Sequence, residues 1–169
     1  MAKPLLEAKN PKSVIVNTGT LLRTQGEEGI AVVYKLALKM GIETSGVHPG
    51  VALSCTGTHP PSPFEQHSFY VHDSSWGGFI EPYPTLSPTL KTMLAVSDEL
   101  VVIGGGKHAA DELEAFYRHG KKVSYFPAEM NHQSVQAWNQ VASEKVEDLR
   151  GAAFHRWHML CMDGQKPRL

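Results

Sequence analysis

The chain has 169 residues and a mass of 18.6 kDa, enough for one ordinary domain and too little for a two-domain enzyme. Hydrophobic residues make up 41% and charged residues 20%, a globular mixture that buries a core without metals or disulfides and excludes disorder for most of the chain. With 16 Lys and Arg against 17 Asp and Glu, the net charge is -1, so the basic field expected of a nucleic-acid or membrane-surface partner is absent.

The two cysteines, Cys55 and Cys161, form no CxxC pair and read as reduced thiols. The first ten residues lack the apolar stretch of a secretory signal, and no apolar run reaches the length of a membrane span. The expectation is a cytoplasmic protein.

Ser13–Asn17 is a β-branched run ending in Thr18-Gly19-Thr20, the pattern of a buried strand entering a turn. Glu27–Met40 places Ile30, Val33, Leu36 or Ala37, and Met40 at helical spacing, with Gly41 as a C-terminal cap. Ile42–Val47 reads as a second strand, so the order strand, helix, strand predicts a parallel βαβ unit. Between residues 48 and 84, prolines punctuate a stretch rich in Gly, Ser, His and aromatics, which predicts a long irregular segment acting as lid, binding loop or interface. Within it Trp76-Gly77-Gly78-Phe79 reads either as a lid hinge with a stacking aromatic or as a packing or subunit contact.

Ser87–Ser97 predicts a helix with Leu90, Met93 and Leu94 inward, followed by a strand at Glu99–Ile103. After Gly104-Gly105-Gly106-Lys107-His108 comes a helix, Ala109–His119, with Leu113, Phe116 and Tyr117 inward, a Glu114 to Arg118 pair outward and Gly120 past its end. Val123–Phe126 is the next strand, Gln133–Leu149 a mostly polar helix, and the residues after Arg150 a surface tail. Residues 1–150 are thus expected to form the domain and 151–169 a C-terminal tail.

Strand, three glycines and helix form the pattern that carries chemistry. Glycines let the backbone turn sharply and approach a ligand, and the N–H groups and dipole of the following helix attract an anion, most often phosphate. Gly104, Gly105, Gly106, Lys107 and His108 are therefore the candidate phosphate site, Lys107 adding a point charge; the plain alternative is a tight chain turn. Gly104, Gly106 and Ala109 also fit G-x-G-x-x-A with Glu129 after the next strand, although a dinucleotide domain places that unit first and continues with more strands. Glu112, one turn into the helix, reads either as a dipole-favoured acid or as a carboxylate supporting charge at an anomeric carbon. Of the nine histidines, His59, His67 and His72 with Asp73, or His155 and His158, lack the spacing of a known ligand set, so no metal or other cofactor is expected.

The segment Ser97–Leu113 resembles the LONELY GUY family, formerly labelled lysine-decarboxylase-like, and related Rossmann-like nucleotide-binding proteins. In the family motif P-G-G-x-G-T-x-x-E, Gly105, Gly106 and Glu112 fill the second, third and last positions, while Gly104, His108 and Ala109 stand where the family has proline, glycine and threonine. Val14–Gly19, Gly46-Val47-His48-Pro49 and Gly120–Pro127 follow in the family's order. Met93 matches a methionine of its M-x-x-R-K-x-x-M helix, whose phosphate-binding and catalytic arginine falls on Thr89 here, with Lys91 nearby. Val14–Asn17 is read as the family's second strand or its first.

The resemblance implies an α/β, Rossmann-like three-layer single domain with a mostly parallel sheet, a homodimer, and a nucleotide as small-molecule partner. The site would be lined by Thr18, Gly19, Thr20, Gly104–His108 and Glu112, with Glu112 and Lys91 as catalytic candidates. Two readings stay open: a hydrolase of the N-glycosidic bond of a nucleoside 5′-monophosphate, and a non-catalytic binder of a nucleotide or its derivative. A metal-dependent hydrolase built on the histidines is a third.

Overall fold

In a computed structural model, the protein is described over residues 2–16, 31–54, 64–129, 132–141, 145 and 147–162. In chain order the elements are α1 (Ala2–Lys9), β1 (Ser13–Val16), α2 (Ala31–Lys39), β2 (Glu43–Pro49), α3 (Val51–Ser54) and β3 (His67–Val71). They continue with β4 (Phe79–Ile80), β5 (Thr85–Leu86), α4 (Pro88–Val96), β6 (Glu99–Ile103), α5 (Lys107–Arg118), β7 (Lys122–Phe126), α6 (His132–Val141) and α7 (Gly151–Met162). The protein is of the α/β class, with parallel strands in two sheets. It divides into two compact units, one of Met1–Gly77 with Ser87–Met93 and the other of Gly78–Leu86 with Leu94–Leu169.

The first unit holds the parallel sheet β1-β2-β3, with β2 central. The anticipated β1–α2–β2 unit is present, and α2 stops where its sequence tells it to. Gly41 adopts φ +70°, the amide of Gly41 bonds the carbonyl of Leu38, and that of Ile42 bonds the carbonyl of Ala37, a Schellman cap that only a residue at ease with positive φ closes without strain. Leu6, Ala37 and Ile42 form the core, with Val14, Leu36 and Met40 against it. Helix α1 was not foreseen. The segment 48–84 is also less irregular than its prolines suggest, since His67–Val71 pairs in parallel with β2 from Ser45↔His67 to Pro49↔Val71. Its residues are mostly exposed and polar or aromatic, so no apolar alternation announced a strand.

Helix α4 begins as a capped helix should. Ser87 Oγ accepts the amide of Leu90 at 3.1 Å, and Pro88 takes the first helical position, where no amide is needed. Asp73 adds a second cap from a distant loop. One of its carboxylate oxygens accepts both the amide and the hydroxyl of Thr89 at 3.0 and 2.6 Å, and the other the amide and hydroxyl of Ser75 at 2.8 and 2.7 Å. Burial pushes its pKa up, but the hydrogen bonds from Thr89 and Ser75 outweigh it and hold the group below the ordinary carboxylate range. A carboxylate with a depressed folded pKa contributes stability above its unfolded pKa and loses it as pH falls through the folded one. Asp73→Ala is therefore expected to cost about 2 kcal/mol at pH 7, with the gap to the parent closing toward pH 3. Equal losses in urea unfolding at both pH values would exclude this role.

The second unit holds the parallel pair β6-β7, joined by α5, and the short antiparallel pair β4-β5. Gly120, at φ +68°, ends α5 with the same cap: its amide meets the carbonyl of Tyr117 and that of Lys121 the carbonyl of Phe116. Three expectations are corrected here. Helix α5 starts at Lys107, so Lys107 and His108 belong to its first turn. The helix anticipated over Gln133–Leu149 is described only as α6, His132–Val141, and residues 147–150 are non-helical. Residues 151–162, taken as tail, form α7, which packs along α5. Ala153, Trp157 and Leu160 make a stripe at helical spacing that joins Val102, Ala110 and Leu113 in the core, with Trp157 stacked on Tyr125 at 5.8 Å. The stripe is short and interrupted by histidines and an arginine, which disguised it. Among the described residues, no helix is long and apolar enough to cross a membrane.

Candidate functional site

The carboxyl end of β6 runs directly into the glycine turn. Gly104 and Gly105 have φ of +60° and +110°, values that favour glycine. Both are also closely covered: a methyl group on Gly104 would come within 2.7 Å of the carbonyl oxygen of Ala128, and one on Gly105 within 2.5 Å of Cβ of Ala109. The carbonyl of Gly105 accepts the amide of Ala153 at 3.1 Å, so α7 is tied to this turn. Packing thus accounts for the first two glycines.

Gly106 differs. It is the N-cap of α5 with ordinary φ, makes no side-chain cap, and has open space in front of its Cα. The amides of the first turn have no carbonyl partner within the helix by construction, and the exposed side chains of Lys107 and His108 flank them. The arrangement offers N–H donors, a positive dipole end and a cation to an anion.

Helix α5 is buried from Ala110 to Phe116 and carries three acids in that stretch: Asp111, Glu112 and Glu114, at 6%, 7% and 1% exposure. Buried carboxylates require partners. Asp111 accepts the amide of Phe79 at 3.2 Å, and Gly78 must be glycine, since a methyl there would lie 2.5 Å from that same carboxylate. Glu114, expected to point outward, is instead the most buried of the three. It keeps the anticipated pair with Arg118 at 2.6 Å, accepts the hydroxyl of Tyr83 at 2.6 Å and contacts the guanidinium of Arg156. Partners from β4-β5 and α7, remote in sequence, draw it inward. Glu112 lies between Asp111 and Glu114, on the second turn of α5.

At the carboxyl end of β7, Pro127, Ala128, Glu129, Arg150 and Phe154 line an open cavity of about 210 Å³. Arg150 is held by Asp148 through two nitrogens at 2.9 and 2.8 Å and lies 4.7 Å over the ring of Phe154. The guanidinium, with a further contact from His155, keeps the Asp148 carboxyl well below the usual range.

The predicted site residues Gly104–His108 and Glu112 thus share one unit. Lys91 belongs to the other compact unit, exposed on α4, and Thr18, Gly19 and Thr20 lie outside the described residues. Thr89 has its hydroxyl committed to Asp73. The considered histidines go separate ways: His67 lies 3.4 Å from Glu43, His155 2.8 Å from Asp148, and His158 against Phe154. Neither His59 nor Cys55 is among the described residues, within which no group of three potential metal ligands occurs.

One cluster escaped sequence reasoning. In the first unit His48 Nε2 meets Glu65 Oε2 at 2.8 Å, both side chains almost fully buried, while Ser68 donates to the same oxygen at 2.7 Å. A methyl on Gly46 would come within 2.3 Å of that oxygen, so the glycine makes room for the pair. Glu65 is seventeen positions from His48 in a proline-rich stretch, and no local pattern links them. Comparisons with protein-family models, with curated proteins and with solved structures each find no match for this chain.

Proposed function

We propose that the protein binds a nucleoside 5′-monophosphate or a close relative, with the phosphate at Gly106, Lys107 and His108, and that it hydrolyses the N-glycosidic bond with Glu112 as the assisting carboxylate. The observation that carries the reading is the uncapped N-terminus of α5, open in front of Gly106 and fed by a parallel strand, which is where open α/β sheets place their ligands. Covalent bookkeeping is simple: water adds at the anomeric carbon, the base leaves with a proton, and Glu112 activates the water or stabilises the oxocarbenium-like charge.

In this reading the architecture is Rossmann-like, three-layered and a single domain. The likeness to the LONELY GUY family adds support through Gly105, Gly106 and Glu112, and it brings with it a cytoplasmic homodimer. Light scattering tests the dimer.

A second reading, binding without turnover, is favoured by a specific observation. Where the resembled family has its catalytic arginine, this chain has Thr89 held by Asp73, and the nearby Lys91 is solvent-exposed.

The deciding experiment is a thermal-shift panel of nucleoside mono- and diphosphates, ADP-ribose and NAD, each stabilising ligand then being incubated and the mixture checked by chromatography for free base. A ligand at a hundredfold excess over its Kd stabilises by about 2.7 kcal/mol, a shift of about 5 °C or more in a chain of this size. Stabilisation with base release supports the hydrolase, stabilisation alone the binder, and a flat panel overturns nucleotide binding.

A further inference from the structure

Strand β3 is an edge of the sheet β1-β2-β3, and it carries none of the devices that keep an edge from pairing. Its sequence, His67-Ser68-Phe69-Tyr70-Val71, has no lysine, arginine, acid or proline. The carbonyl of Val71 accepts the amide of Gly50 at 2.7 Å, so Val71 turns its main chain to β2. Successive residues of a strand turn their main-chain groups to opposite sides. His67 and Phe69 therefore pair with β2 as Val71 does, and the amides and carbonyls of Ser68 and Tyr70 face away from it.

Apolar surface gathers at the same edge. Phe69 is 56% exposed and Tyr70 40%. Among the described residues of the first unit, the other exposed large hydrophobic side chains are Leu53 and Trp76. Both belong to the segments beside the carboxyl end of β3, where the amide of Val51 bonds the carbonyl of Asp73 at 3.1 Å. Such a concentration marks an interaction surface.

A second copy of this chain is the occupant that fits, because a two-fold contact needs a surface complementary to itself. With the axis through Phe69, two β3 strands run antiparallel. Ser68 of one copy opposes Tyr70 of the other and exchanges both N–H···O bonds, and the two Phe69 rings meet at the close, non-hydrogen-bonded position between them. His67 falls opposite Val71, so no like charges face each other. A foreign peptide would have to bring the matching aromatic, whereas a second copy has it by symmetry. At these exposures Phe69, Tyr70 and Trp76 leave on the order of 100 Å² each, about 600 Å² from the rings of two copies, with Leu53 and the main chain adding to it. Stable interfaces start at about 1,200 Å² in total, so this dimer sits at the reversible end of the range and dissociates on dilution.

We infer that β3 is a homodimer interface, joining the sheets of two copies antiparallel across Phe69. It gives the homodimer of the reading above its contact surface and stands apart from nucleotide binding. The test is sedimentation equilibrium of the full chain over a dilution series, in the parent, in Phe69→Lys, in Phe69→Glu and in their equal mixture. Each variant alone is expected to dimerise about tenfold or more weakly, because an aromatic pair is lost and like charges meet on the axis. The mixture should recover dimer, since only a two-fold through residue 69 sets lysine against glutamate. The side chain is more than half exposed, so both variants should keep the parent circular dichroism. In the parent, the amides of Ser68 and Tyr70 should exchange with solvent more slowly as concentration rises, a readout that needs no substitution. A dimer indifferent to residue 69, a mixture that stays monomeric, or exchange that ignores concentration overturns this edge while a homodimer through another surface stands. A parent monomeric at millimolar concentration overturns both.

Discussion

Gly105→Val is expected to lower stability by about 4 kcal/mol, most of the total at the low end of the roughly 5–15 kcal/mol ordinary for a folded chain. Two costs add. A β-branched residue at φ +110° is strained by about 1–3 kcal/mol. Its Cβ would also lie 2.5 Å from that of Ala109 and 3.7 Å from that of Ala153, and overpacking of this kind costs about 1–3 kcal/mol more. Relief by a backbone shift is obstructed because the carbonyl of Gly105 holds the amide of Ala153. Gly106→Ala is the control, since nothing lies near its Cα and its φ is ordinary; it should cost under about 1 kcal/mol. Urea unfolding of the two variants measures both numbers. Similar losses at the two glycines would mean that the turn is not clamped between Ala109 and α7.

On the proposed hydrolase reading, Glu112→Gln is expected to lower turnover about a hundredfold or more while leaving the nucleotide-induced thermal shift in place. The amide keeps the shape of the side chain, so the packing of a residue only 7% exposed survives, but it neither takes a proton nor supplies the full charge that an oxocarbenium-like centre demands. At Glu114, where the carboxylate is bound by Tyr83, Arg118 and Arg156, the same exchange falls on stability. Rate and melting temperature measured side by side separate the two acids. Full turnover in Glu112→Gln would remove this residue from the reaction.

Both results depend on distinctions that the sequence does not draw. Asp111, Glu112 and Glu114 stand on one helix, and helical periodicity alone puts Glu114 on the outside. It is buried because Tyr83 and Arg156 approach it from elements more than thirty residues away in either direction, and a carboxylate with those partners is more stable inside than a lone one. The glycine turn was legible as a turn, but which of its three glycines serve packing and which faces open space emerges only with Ala109, Ala128 and Ala153 in position.

Strand β3 and helix α7 went unread for a related reason. His67–Val71 is mostly exposed, so it has no alternating pattern and is a strand through its pairing with β2. Helix α7 owes its place to α5 and Tyr125, against which Ala153, Trp157 and Leu160 pack. The His48–Glu65 pair is the extreme case, its two members meaningful only after Gly46 leaves room between strand and loop.

The sequence by itself determined the α/β class, the parallel β1–α2–β2 and β6–α5–β7 units, the caps at Gly41 and Gly120 and the turn at Gly104–Gly106. These features are written in local patterns of propensity, periodicity and φ preference, which a chain expresses over a few residues. The tertiary structure alone decided which acids are buried, which glycines are clamped, which histidine meets a carboxylate and where a cavity opens. Each of those depends on groups far apart in the chain, where the cost of desolvating a charge and the gain from pairing it are fixed only when the partner arrives.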